Sequence, residues 1–169
     1  MMKLSRQTEL AIVTYLTAAF AAVDEDNAPL FPGWATITLY AGHSRADESL
    51  TDEQIAAGVE SYKLPALVVN VEDSQPHPDL PSETGCRVIR LRCQFQVDSS
   101  VSTRAFVDNR LAELWAALVD PLGVAALQTS AHTSTFTIHD VIEANEPSTR
   151  EGTDWLDEIG IDVVAEPAG

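Results

Sequence analysis

The stretch CRVIRLRCQFQVD, Cys86 to Asp98, decides how this chain is read. From Ile89 onward, apolar Ile89, Leu91, Cys93, Phe95 and Val97 alternate without a break with polar Arg90, Arg92, Gln94, Gln96 and Asp98. A period of two sends the two sets to opposite sides of a pleated backbone, so the spacing predicts a strand with one buried face. The other face poses the functional question. The chain has 26 acidic residues against 10 basic ones, yet Arg87, Arg90 and Arg92 fall within six positions.

On the N-terminal side, ALVVNV after Pro65 reads as a second strand. Between it and the arginine strand lies EDSQPHPDLPSETG, residues 72–85, with three prolines. That is too long for a tight turn, so an antiparallel pair with a protruding loop or arm is expected. On the C-terminal side, Ser102 or Thr103 can cap a helix whose apolar face is Phe106, Val107, Leu111, Leu114, Trp115 and Leu118. Asp120 followed by Pro121 starts a short helix, PLGVAALQ, because proline suits the first helical position. TSTFTIHDVIEA and DWLDEIGIDVVAE read as two closing strands joined by a loop at 145–154, with a tail at 166–169.

Nearer the start, Leu10, Val13, Leu16, Phe20 and Val23 recur at helical spacing and predict a helix within residues 1–23. WATITLY predicts a first strand near Ala35 to Tyr40, and LTDEQIAAG a short helix capped by Thr51. The pieces assemble into a single α+β domain over residues 1–169: a mostly antiparallel sheet of four to five strands with helices packed on one face.

Composition narrows the function. With 45% hydrophobic and 21% charged residues the chain reads as an ordinary soluble globular protein, long enough for a substantial core. A formal charge of −16 argues against a reader of DNA or RNA sequence, though not against a wall that DNA slides past. Cys86 and Cys93 fall on opposite faces of one strand, roughly 23 Å apart at about 3.3 Å per residue, so they cannot bridge and the chain suits a reducing compartment. Lys3 and Arg6 ahead of LAIVTYLTAAFAAV imitate a signal peptide, but Glu9 interrupts the basic region and the run is too short to span a bilayer. It is read as a helix of the domain, with no membrane partner.

Enzyme signatures are missing: there is no GxSxG elbow, Walker loop, GxGxxG or HExxH. His139 and Asp140 leave a strand on opposite faces, as do His132 and His139, while His43 and His77 stand alone in turns. The acidic run Asp24, Glu25, Asp26, Asn27 lacks the glycine and the distal glutamate of an EF-hand loop. No catalytic residue, metal ligand or cofactor is assigned.

Charge placement says more. Residues 86–110 hold five of the ten bases, Arg87, Arg90, Arg92, Arg104 and Arg110, whereas residues 143–169 hold eight acids and one base. In the last strand the polar face carries Glu158, Asp162 and Glu166. Two arrangements answer the arginines. If the strands are neighbours in one sheet, the arginines meet Glu158 and Asp162 within the chain. If the charged faces lie apart, they are complementary for head-to-tail contact between copies, and such a contact closes into a ring when its rotation permits. The gathering of half the bases into 25 residues favours the second, with Arg87, Arg90, Arg92, Arg104, Arg110, Glu158, Asp162 and Glu166 as the candidate subunit interface, joined by His77 and Pro78 of the long loop.

The succession LPALVVNVED, a variable polar loop, GCRVIRLRCQFQVDSS, STRAFVDNRLAELWAALVD, FTIHDVI and DWLDEIGIDVVA resembles the tail-terminator and tail-completion proteins of tailed bacteriophages, over about Leu64 to Ala165. The resemblance implies a structural virion protein without an active site: a homo-oligomeric ring, commonly a hexamer, in the neck. It would cap the tail tube, meet the head connector and assemble in the host cytoplasm. An acidic lumen would let DNA pass without sticking. The insert from Ala41 to Tyr62 departs from the pattern. The competing reading is an acidic inhibitor or immunity-type protein that covers a basic partner.

Overall fold

The strand predicted at the arginines forms the middle of a five-stranded sheet in the computed structural model, which describes residues 3–41, 65–98, 103–130, 136–150 and 154–167, with backbone alone for 82, 98, 130, 143–150 and 154–158. The strands are β1 (Thr38–Ala41), β2 (Ala66–Pro76), β3 (Arg87–Asp98), β4 (Phe136–Arg150) and β5 (Asp154–Pro167), in the order β1-β2-β3-β5-β4. Ile89, Leu91, Cys93, Phe95 and Val97 on β3 are almost wholly buried. They are flanked by Leu67 and Val69 of β2 and by Ile159, Ile161 and Val163 of β5, which are buried as well.

Three pairings are antiparallel, but β1 runs parallel to β2, with Thr38 opposite Ala66, so the sheet is mixed. A parallel neighbour needs a connection of a dozen or more residues, and the 24 between Ala41 and Ala66 are enough. β1 also starts later than expected, because Ala35 and Ile37 close a 3-10 turn at Pro32–Trp34 through N–H bonds to Pro32 O and Trp34 O. The helix expected at 51–58 lies outside the described residues, as do His43 and His132.

Helices α1 (Leu4–Phe20), α2 (Arg104–Leu118) and α3 (Pro121–Ser130) pack on the apolar face. α1 buries Ile12, Leu16 and Phe20 together with Thr8 and Glu9, a stripe rotated from the one expected; Val23 lies beyond the helix and half-exposed. Phe20 stacks on Trp34 at 3.9 Å, and Trp34 in turn meets Phe95 of β3. α2 begins at Thr103, whose hydroxyl accepts the Phe106 N–H. It buries Val107, Leu114 and Leu118, leaving Phe106, Leu111 and Trp115 half-buried at the rim of the core.

Strands run further than the sequence suggested. The arm expected at 72–85 is shorter, since β2 continues to Pro76 and the connection spans only 77–86, exposed from Pro78 to Pro81 and anchored at its end. Cys86 is buried, and a Cβ on Gly85 (φ 69°) would lie 2.8 Å from the Pro167 ring. The loop expected at 145–154 is mostly strand: β4 reaches Arg150 and β5 starts at Asp154. Its proline, Pro147, lies in a register shift between Asn145 and Ser148 on an edge strand, a place where sheets tolerate proline. The expected tail is likewise taken up by β5 as far as Pro167. Polar residues hid these extensions, because a backbone ladder needs no apolar side chain.

Candidate subunit interface

β3 and β5 are neighbours, with Arg90 directly opposite Asp162 and Gln94 opposite Glu158. Arg90 donates from Nε to Asp162 Oδ1 at 2.9 Å and from a terminal nitrogen to Oδ2 at 3.0 Å. This two-pronged bond, then the Asp162 charge with Glu72 and Asp73 further off, holds the guanidinium still more firmly in its charged form. The pair is exposed, so it contributes about 1 kcal/mol or less.

The remaining arginines are also engaged within the chain. Arg92 donates to Glu72, the residue at the bulge of β2. Arg87 donates from Nε to Ser74 Oγ at 2.7 Å and from a terminal nitrogen to Ser74 O at 2.8 Å, tying β3 to β2. On α2, Arg104 pairs with Asp108 one turn on at 3.0 Å. Arg110 pairs with Glu113 and lies over the Phe106 ring, its guanidinium against Gly33, where there is no room for a Cβ. The first of the two arrangements is therefore the one this fold adopts for Arg90 and Asp162. A twelve-residue register brings the basic and acidic faces side by side. The backbone of Glu158 is placed opposite Gln94; its side chain lies outside the description.

Glu166 accepts from His139 Nε2 across β4 and β5 at 2.8 Å, beside the register shift between Ile138 and Asp140. His77 and Pro78 close the β2–β3 connection: the His77 N–H donates to Cys86 O at 2.9 Å, the Asp79 N–H to His77 Nδ1 at 3.1 Å, and Pro78 is exposed. Asp24 serves its own turn, its carboxylate accepting the N–H groups of Asp26 and Ala28. Among the described residues no three potential metal-ligating side chains converge.

Sequence reasoning missed the most buried charge among the described residues. Glu9 of α1, 3% exposed, accepts the Val71 N–H at 2.7 Å and an Arg6 bond at 2.9 Å. β1 pairs only as far as Val69, so Val71 lies where β2 has lost that neighbour, and the carboxylate supplies the acceptor a strand would have offered. An acid alone in an apolar helix was the signal for it. Both cysteines are free and buried. Burial pushes the Cys93 thiol up to about 12, and burial with the nearby Glu166 charge raises Cys86 against a lowering backbone bond, so neither is a ready nucleophile.

Several large apolar side chains among the described residues are exposed, which the sequence did not indicate: Leu122 on α3 at 86%, Leu30 at 54%, Ile142 on β4 at 52%, with Val23 and Leu80. No family model matches this sequence, and a search of curated proteins finds no match.

Proposed function

We propose that this protein is a structural subunit of a phage neck, of tail-terminator type, whose copies form a ring that caps the tail tube and adjoins the head connector. The observation that carries the reading is the order of segments behind the resemblance. LPALVVNVED supplies β2, the arginine stretch β3, STRAFVDNRLAELWAALVD α2, FTIHDVI β4 and DWLDEIGIDVVA β5, with α3 between α2 and β4. The surplus of 16 negative charges suits a wall past which DNA moves.

Sedimentation across a wide concentration range, with negative-stain imaging of the largest species, tests it. Closed rings of about six copies with a central hole are expected, and tail tubes polymerised with the protein present should stop growing. A chain that stays monomeric at every concentration overturns the reading and favours the acidic inhibitor, which needs no self-association.

A further inference from the structure

We draw no further inference here: the strongest candidate, the hairpin after α1 in which exposed Val23 and Leu30 flank the acids Asp24, Glu25 and Asp26, carries nothing because nothing in the structure shows what covers it.

Discussion

β3 and β4 flank the same strand, β5, and were built to different standards. β3 keeps one register with β5 from Arg87 opposite Ala165 to Asp98 opposite Asp154, without a slip. β4 shifts register three times in fifteen residues. The difference follows from position. β3 is hydrogen-bonded on both sides and packs five apolar side chains into the core, so a one-residue slip would turn them all to solvent. β4 is an edge strand, and an inserted residue there costs only local ladder bonds. Regularity in this sheet marks where burial constrains the chain, and irregularity marks where it does not.

The widest separation should appear in truncation. Phe95→Ala on β3 is expected to lower unfolding free energy by about 3–5 kcal/mol, and Ile142→Ala on β4 by about 0.5 kcal/mol or less. Urea titration of both reads the contrast, and equal costs would break it. Glu9→Ala should come next at about 1–3 kcal/mol, because it strands the Val71 amide, while Glu9→Gln retains an acceptor and should cost less. That comparison shows how far the unpaired side of β2 depends on a helix standing in for a strand.

A pH titration sharpens the picture of the dry face of β3. The Cys93 thiol is raised from 9.0 to about 12 by burial, so above pH 9 the unfolded chain releases a proton that the folded one keeps. The unfolded state then binds fewer protons, and stability falls as pH rises. This contribution is intact below about pH 9 and is lost progressively toward pH 12, by up to about 1.4 kcal/mol per pH unit. Unfolding monitored from pH 8 to 10.5 should show a shallower decline for Cys93→Ala than for the parent; identical slopes would mean the thiol is wetter than the geometry indicates. The smallest effect belongs to the polar face. Arg90→Ala should change stability by about 1 kcal/mol or less and progressively less with added salt, since its ion pair is exposed.

Legibility tracked the range of the interaction. The helix start at Thr103 was visible because a hydroxyl accepts an amide three residues ahead, and the restart at Pro121 because proline presets its own backbone angle. The inner face of β3 was visible because alternation is written into consecutive residues. Of the arginine partners, Asp162 was foreseen as one of two arrangements, whereas Ser74 and Glu72 were not, because they depend on how far β2 runs beside β3 and on where it bulges. Leu122 escaped notice for a similar reason: in PLGVAALQ every apolar residue looks equally fit for the core, and only the close approach at Gly123 shows which one is turned outward.

By itself, then, the sequence determined the α+β class, the buried side of β3, the start of its longest C-terminal helix at Ser102 or Thr103 and the inability of Cys86 and Cys93 to bridge, all consequences of chemistry within a few residues of each other. Only the tertiary structure decided that β1 joins parallel to β2, that Arg90 finds Asp162 across 72 positions, and that Glu9 fills the gap beside Val71. Those outcomes are set by strand order and register, where the hydrogen-bonding needs of the whole backbone must be met at once, and no local pattern encodes which distant group will meet them.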